Sequence, residues 1–165
     1  MDFTVTEKMQ TILGMMKEFV QKELIPLESE AQNKTFSEML PQLEEKRKMV
    51  KQMELWSPLM PKKNGGMELN LMESALVYEA LGGTPFGLFV FGCQAPDAGN
   101  IEIIHQYGTD EQKEKWLKPL INGEIRSCFS MTEVDLPGSN PVMMDTTAEK
   151  DGDDYVINGH KWFSS

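Results

Sequence analysis

The chain has 165 residues, a formal net charge of −10, 40% apolar residues and 25% charged residues, with a pI near 4.7. This length suits one domain, or one domain and part of another. The acidic balance repels phosphate backbones and argues against a nucleic-acid partner. No apolar run approaches the roughly 18 residues that span a bilayer, and no secretory signal is visible. We therefore expect a cytoplasmic protein, or a mitochondrial matrix protein if the source is eukaryotic.

The N-terminal part of the chain shows the periodicity of amphipathic helices. Apolar residues recur at three- and four-residue spacing after Thr4 and Glu7, whose separation is that of a capping box. Pro26 predicts the end of this first helix. A second periodic segment, over about 38–54, predicts another helix, and the stretch LWSPLMPKKNGG predicts a loop after it.

Between residues 70 and 121, three further helices are predicted from signals at their ends, and a fourth from its apolar composition. A capping box at Asn70 and a Gly-Gly pair at 82–83 bound the first of them. The other two are predicted over 97–107, before a glycine, and over 109–121, where another capping box stands at the start. The apolar stretch TPFGLFVFGCQAPDAGN predicts a buried helix with a bent exit.

The pattern changes to short strand-like runs after residue 125. Asp151-Gly152 and Asn158-Gly159 are strong hairpin signals, and they separate runs at 146–150, 155–157 and 162–163. Because three strands with one apolar face do not close a barrel or a sandwich, this sheet is expected to be incomplete.

The predicted fold class is therefore α+β. A mainly α-helical N-terminal bundle is predicted over residues 1–125. It is followed, over 126–165, by the incomplete start of an antiparallel β domain.

The common dinucleotide, nucleotide, zinc-hydrolase and calcium-loop motifs do not occur in the sequence. Cys93 and Cys128 lack metal-ligand spacing and are expected to be buried thiols. His105 and His160 have no Ser or Cys nucleophile in a recognisable setting. No catalytic residue and no metal ligand is therefore assigned.

The stretch SCFSMTEVDLPGSNP, residues 127–141, contains residue types suited to ligand binding. An extended run from Phe129 to Thr132 would present backbone amides and a hydroxyl, and Gly138-Ser139 would let the backbone approach a phosphate closely. A planar heterocycle joined to a pyrophosphate would suit both halves, while a turn that only links two strands stays the alternative. Glu133 falls beside the apolar residues Phe129 and Met131, where burial would raise its pKa. The alternative is a structural carboxylate, which is the usual role of a lone carboxylate at a strand end.

Two longer stretches resemble a known family. YGTDEQKEKWLKPLINGEIRSCFSMTE and DDYVINGHKWFSS are similar to signatures of the acyl-CoA dehydrogenases, flavoproteins that oxidise acyl-CoA thioesters between the α and β carbons. CQAPDAGN resembles one subgroup of that family. The resemblance covers at least residues 56–165, and it implies an N-terminal helical domain, a middle β domain and a C-terminal four-helix domain. FAD is then expected between the middle and C-terminal domains.

The resemblance also implies a set of cofactor-binding residues at matching positions, namely Phe129, Met131, Thr132, Gly138, Ser139, Phe163 and Ser165. The first three match the segment along the flavin ring, and the Gly-Ser pair matches the loop at the FAD pyrophosphate. The last two match a ring-stacking position and a hydroxyl near flavin N5. Ser139 also matches a position near the CoA thioester, so it is the candidate substrate-contact residue.

Three positions depart from the family pattern. Val134, Asn140 and Phe163 stand where Pro, Asp and Trp are usual, and the loop is one residue longer than in the best-known members. The subgroup with CQAPD shares the longer loop. Loss of the Asp is expected to loosen the turn and weaken flavin binding.

The resemblance implies the N-terminal part of an FAD-dependent acyl-CoA dehydrogenase, which passes a hydride from acyl-CoA to flavin. It also implies an electron-transfer flavoprotein or similar acceptor, and a homo-oligomer at full length. In the family the general base comes from the C-terminal domain, so this segment alone is expected to be inactive. Two alternatives stay open: an acyl-CoA oxidase, and a non-catalytic helical binding module or truncated paralogue.

Overall fold

The computed structural model describes residues 4–138 and 140–164, which form two compact units that divide after Ile125. The first unit is helical, and the second contains a hairpin of two antiparallel strands. The helices are α1 Glu7–Phe19, α2 Glu28–Ala31, α3 Phe36–Gln52, α4 Leu71–Leu81, α5 Gly87–Val90, α6 Asp97–Tyr107, α7 Asp110–Gln112 and α8 Lys118–Ile121. The strands are β1 Thr147–Asp151 and β2 Asp154–Asn158. The α+β class is confirmed.

Helix α1 is capped by Thr6 and not, as the spacing predicted, by Thr4. The Thr6 hydroxyl accepts a hydrogen bond at 3.2 Å from the backbone N–H three residues later. Pro26 does not end the helical path either. It lies in the 3-10 turn Ile25–Leu27, where its missing N–H breaks no bond, and α2 follows directly. The apolar stripe of α1 is buried, at Met9, Leu13, Met16 and Phe19.

Capping boxes start the next long helices. Thr35 and Glu38 form one at α3, which therefore begins slightly earlier than predicted. The predicted box at α4 is confirmed: Asn70 Oδ1 accepts from Glu73 N at 2.9 Å, and Glu73 Oε2 accepts from Asn70 N at 3.0 Å. Thr109 caps α7 in the same way, and a π-helical turn, Lys113–Leu117, joins α7 to α8.

The predicted buried helix of the TPFGLFVFGCQAPDAGN stretch is short. Before α6 begins at Asp97, only Gly87–Val90 is helical there, and Gly92, with φ +68°, then turns the chain away. The side chains of this stretch do enter the core, at Phe86, Phe89, Val90, Phe91 and Cys93. A main cluster joins them to α1, α3 and α4, and a smaller cluster lies between α6 and α8.

Among the described residues of the helical unit, Arg47 is the one charged side chain that is buried. It is 6% exposed, and it donates to the carbonyl oxygen of Gly123 at 3.3 Å and pairs with Glu44. Its guanidinium lies 4.7 Å from the ring centroids of both Trp56 and Phe89. These contacts attach the end of the helical unit to α3.

In the second unit, the hairpin predicted at Asp151-Gly152 is confirmed. Strand β1 pairs with β2 in the register Thr147↔Asn158 to Asp151↔Asp154, and Gly152 takes the left-handed conformation at φ +62°. Every residue of both strands is exposed, so this ribbon has no buried face of its own.

The hairpin predicted at Asn158-Gly159 is wrong for the described residues. The 162–163 run is not a strand, and Lys161 instead makes an isolated antiparallel bridge with Glu133. A Cβ at Gly159 would collide with the side chain of Thr146. Glycine is therefore needed at 159 because two chain segments approach each other closely there. This close approach, and not a hairpin turn, explains the glycine of Asn158-Gly159.

Across the described residues, no helix combines the length and the apolar composition that crossing a membrane requires.

Candidate functional site

Two segments that are far apart in the sequence, 129–133 and 161–164, lie side by side in the second unit. The hydroxyls of Ser130 and Ser164 are 2.7 Å apart, and the backbone N–H of Trp162 donates to the Thr132 carbonyl oxygen at 3.1 Å. The isolated bridge between Glu133 and Lys161 continues this pairing. The first segment contains three of the residues that were predicted to bind a cofactor, and the second contains Phe163.

Glu133 is the buried centre of this pairing, with 6% of its surface exposed. Its Oε1 accepts from Lys161 Nζ at 2.8 Å, from Thr146 N at 3.0 Å and from the Thr146 hydroxyl, and its Oε2 accepts from Asp145 N at 2.6 Å. These bonds, that to Lys161 first, lower the pKa of Glu133 to about 2. The expectation of a raised pKa is therefore wrong, because the burial comes with four donors.

Lys161 holds both the carboxylate and the neighbouring backbone. Its Nζ donates to the Met131 carbonyl oxygen at 2.9 Å as well as to Glu133, and it lies 3.6 Å from Met144 Sδ. Sequence reasoning did not single out Lys161 or Thr146. No spacing rule connects them with Glu133. Sequence periodicity shows which residues share a face of one helix or strand, whereas these three residues come from three separate segments.

Gly138 lies against the side chain of Thr132. A Cβ at Gly138 would lie 2.7 Å from Thr132 Cγ2 and 3.0 Å from its Oγ1, so any other residue would force one of them to move. The predicted ring-facing hydroxyl and the predicted phosphate-facing loop are therefore adjacent. Ser139, the next residue of that loop, lies outside the described residues.

Asn140, which stands where the family usually has Asp, makes three local hydrogen bonds. The Asn140 N–H donates to the Pro137 carbonyl oxygen at 3.0 Å, and its own carbonyl oxygen accepts from Met143 N at 3.1 Å. Its Oδ1 accepts from Val142 N at 3.4 Å, a bond that an Asp oxygen would also make.

Two of the predicted cofactor residues are aromatic and exposed. Phe129 is 51% exposed and Phe163 is 83% exposed, and the Trp162 ring lies 5.0 Å from the Phe163 ring. Phe163 has φ 48°, an uncommon conformation for a bulky residue. Exposed aromatic side chains that lie close together are typical of a binding surface. Ser165, predicted to follow them in the site, lies outside the described residues.

The two cysteines and the two histidines differ in their surroundings. Cys93 is buried as predicted, and burial raises the pKa of its thiol to about 12, whereas Cys128 is exposed, contrary to prediction. His105 Nδ1 lies 3.2 Å from Asn64 Nδ2, and His160 is exposed. The part of the chain that the structure describes contains no group of His, Cys, Asp and Glu that could hold a metal ion.

Residues 6–124 match the family described as acyl-CoA dehydrogenase, N-terminal domain. The chain belongs to the acyl-CoA dehydrogenase family. A curated relative, acyl-CoA dehydrogenase family member 11 of Gallus gallus, is 40% identical over 171 residues, which cover 99% of this chain and 22% of that protein. The chain therefore spans only about a fifth of the length of such relatives. The resemblance noted from the sequence is confirmed at the level of the family.

Solved structures share the fold of this part of the family. A candidate acyl-CoA dehydrogenase from Mycobacterium abscessus is 36% identical with a TM-score of 0.87, covering 98% of this chain and 43% of that one. An electron transferring flavoprotein structure from Acidaminococcus fermentans is 29% identical with a TM-score of 0.71, and the match covers 99% of this chain and 41% of that one. A glutaryl-CoA dehydrogenase from Mycobacterium smegmatis, solved in complex with FADH2, is 25% identical with a TM-score of 0.70. This match covers 97% of this chain and 39% of that one.

Proposed function

We propose that this chain is the N-terminal part of an FAD-dependent acyl-CoA dehydrogenase, and that its second unit supplies one side of the flavin site. The observation that carries the proposal is the pairing of 129–133 with 161–164, with Gly138 against Thr132. Thr132, Gly138 and Phe163, which the resemblance selected, are carried by these contacting segments. The FADH2 complex of the glutaryl-CoA dehydrogenase supports the choice of cofactor.

The chemistry of the described residues fits a flavin dinucleotide. Thr132 offers a hydroxyl and a backbone amide for the polar edge of a ring system, and the half-exposed Phe129 offers an apolar surface beside it. The backbone of the Gly138 loop is proposed to face the pyrophosphate, while the Thr132 side chain occupies the place of a Cβ at Gly138 itself. Phe163, exposed and next to Trp162, offers a ring for stacking.

Under this proposal the residues of the chain bind and orient, and the reacting groups come from elsewhere. Thr132, Gly138 and Phe163 hold the cofactor, together with Met131 and the two serines that lie outside the described residues, Ser139 and Ser165. Bound FAD supplies the acceptor for a hydride from an acyl-CoA thioester. Ser139 is also the proposed contact to the CoA thioester.

The catalytic base is proposed to lie outside this chain. Glu133, the buried carboxylate of the predicted site segment, has both oxygens occupied by hydrogen-bond donors and its pKa lowered to about 2. Such a carboxylate is a poor proton acceptor near neutral pH. The other parts of the proposal are an electron-transfer flavoprotein as acceptor, a homo-oligomeric full-length protein, and a cytoplasmic or mitochondrial matrix location.

The test is anaerobic titration of the purified full-length protein with saturated acyl-CoA thioesters of several chain lengths. We expect bleaching of the oxidised flavin absorbance by at least one of them, and reoxidation by an electron-transfer flavoprotein. Rapid reoxidation by oxygen would instead identify an acyl-CoA oxidase. A protein that binds FAD but is reduced by none of the thioesters would contradict the proposed reaction while keeping the cofactor.

A further inference from the structure

We propose that Glu133 and Lys161 are positioning residues, whose ion pair holds the 129–132 segment, the Gly138 loop and Phe163 in one arrangement toward the cofactor. The identity of the ligand in this inference rests on the proposed function. The mechanical role rests on the contacts of the pair itself, which hold the 129–132 segment directly and tie the far end of the Gly138 loop to Glu133. Phe163 is linked to the pair through the chain, two residues after Lys161.

Lys161 holds the chain on both sides of Thr132. Its Nζ lies 2.9 Å from the carbonyl oxygen of Met131 and 2.8 Å from Glu133 Oε1, and these two residues flank Thr132. The next residue, Trp162, donates its N–H to the Thr132 carbonyl oxygen at 3.1 Å. Consecutive residues of one segment therefore fix the backbone that carries the Thr132 hydroxyl.

Glu133 closes the loop that contains Gly138. The loop leaves Glu133 and runs through 134–144, and its far end returns to the same carboxylate, because Asp145 N and Thr146 N donate to it at 2.6 and 3.0 Å. If this closure were lost, the close approach of Gly138 to Thr132 would have no constraint at the base of the loop.

Phe163 depends on anchors on either side of it. Its φ of 48° is unfavourable for a bulky residue and persists only where the surroundings determine it. Lys161 is anchored two residues before it, and Ser164, directly after it, is anchored by the hydroxyl bond to Ser130 at 2.7 Å. If the ion pair of Lys161 is removed, we expect the backbone at Phe163 to relax and the orientation of its ring to change.

The substitution series follows from the chemistry of the pair. Lys161→Met keeps much of the side-chain length and removes the donor and the charge, leaving a carboxylate that is only 6% exposed without its ionic partner. Lys161→Arg keeps the charge and the donors. Lys118→Met is the matched control, since Lys118 forms an exposed ion pair with Glu114 at 2.6 Å in the helical unit.

The first readout needs no flavin. In the full-length protein carrying Cys128→Ser, the pair Ser130→Cys and Ser164→Cys reports whether the two segments stay side by side, because these hydroxyls are 2.7 Å apart. We expect the disulfide to form under mild oxidation of the apoprotein when Lys161 is present, and also in Lys161→Arg. Lys161→Met is expected to slow its formation about tenfold, the effect of losing one charge-assisted contact.

The second readout is equilibrium binding of FAD to the same full-length protein, without the added cysteines, together with the absorbance spectrum of the bound flavin. Lys161→Met should weaken FAD binding about tenfold or more and shift the flavin spectrum, while Lys161→Arg restores most of both. Lys118→Met should leave disulfide formation, affinity and spectrum unchanged.

The two readouts separate the possible failures. Unchanged disulfide formation in Lys161→Met would overturn the positioning role, whether or not the protein binds FAD. Slower disulfide formation with unchanged FAD affinity and spectrum would also overturn it, because the pair would then be structural only. A protein with native lysine that binds no FAD would contradict the proposed function, and the disulfide assay would still decide whether the pair fixes the two segments.

Discussion

The guanidinium carbon of Arg47 lies 4.7 Å from the centroid of the Trp56 ring, and the Trp56 indole N–H donates to the carbonyl oxygen of Ile121 at 2.7 Å. Arg47 itself donates to the carbonyl oxygen of Gly123. A loop residue and a helix residue thus jointly hold the last turn of the helical unit. This end of the unit is fixed by polar and aromatic contacts in addition to apolar packing.

Arg47→Ala should lower the free energy of unfolding of this chain by about 2–3 kcal/mol, since it removes two cation–π contacts and a charged hydrogen bond. Urea unfolding followed by circular dichroism measures this change. Lys48→Ala is the control, because Lys48 and its partner Glu45 are both exposed, and it should change stability by less than about 0.5 kcal/mol. Equal effects of the two substitutions would show that the contacts of Arg47 add nothing to stability beyond those of an exposed pair.

Gly123→Ala should destabilise the chain more than Gly65→Ala. Both glycines have positive φ, at +69° and +84°, so both substitutions meet the same backbone penalty of about 1 kcal/mol. Only at Gly123 would the new Cβ also collide, with Arg47 Nη2 and with Trp56 Cζ2, the latter at 2.8 Å. We expect about 1–2 kcal/mol of additional loss there from overpacking. Thermal or urea unfolding of the two variants tests the difference, and equal losses would argue against the close packing.

Asn70→Ala should cost about 1 kcal/mol of stability, because it removes the acceptor for the Glu73 N–H at the start of α4. Asn70→Ser should recover most of the loss, since a serine oxygen accepts the same bond. The measurement is the urea midpoint at an unchanged slope. A full loss with serine would mean that the amide of Asn70 has another role.

Glu133 should remain ionised at pH values where an ordinary glutamate has taken up a proton. Its folded-state pKa is lowered from 4.5 to about 2, so the stability contributed by this carboxylate is present above pH 4.5 and is lost as the pH falls from there toward 2. Carbon-detected NMR titration of the Glu133 carboxyl group should give a midpoint near 2. In Lys161→Met the midpoint should rise, since the largest cause of the shift is removed. A midpoint near 4.5 in the unsubstituted chain would contradict the ion-pair geometry.

Sequence patterns predicted the helices well where a cap and a periodic stripe occur together. The helix that begins after the box at Asn70 is an example, because both signals depend on neighbouring residues alone. Pro26 misled, since proline is compatible with the first turn of a new helical segment as well as with the end of an old one. Whether Pro26 ends one helix or begins the next depends on how the residues after it pack.

The candidate site was predictable only in part. The resemblance selected Thr132, Gly138 and Phe163, but it did not indicate that Lys161 joins their segments. The sign of the pKa shift of Glu133 was also missed. Apolar neighbours in the sequence suggested desolvation, whereas the donors that lower the pKa come from Asp145, Thr146 and Lys161, which only the fold brings near.

The most direct test of the account is the FAD content of the purified full-length protein, compared with that of Gly138→Val. We predict stoichiometric FAD in the unsubstituted protein. We predict little in the variant, because the valine side chain would displace Thr132, from which even a Cβ at Gly138 would be only 2.7 Å away. Gly14→Val, at an exposed glycine of α1 with nothing within 4 Å of its Cβ position, is the control and should retain FAD. An unsubstituted protein that stays free of flavin after incubation with FAD, or a Gly138→Val variant that binds FAD equally well, would contradict the proposed site.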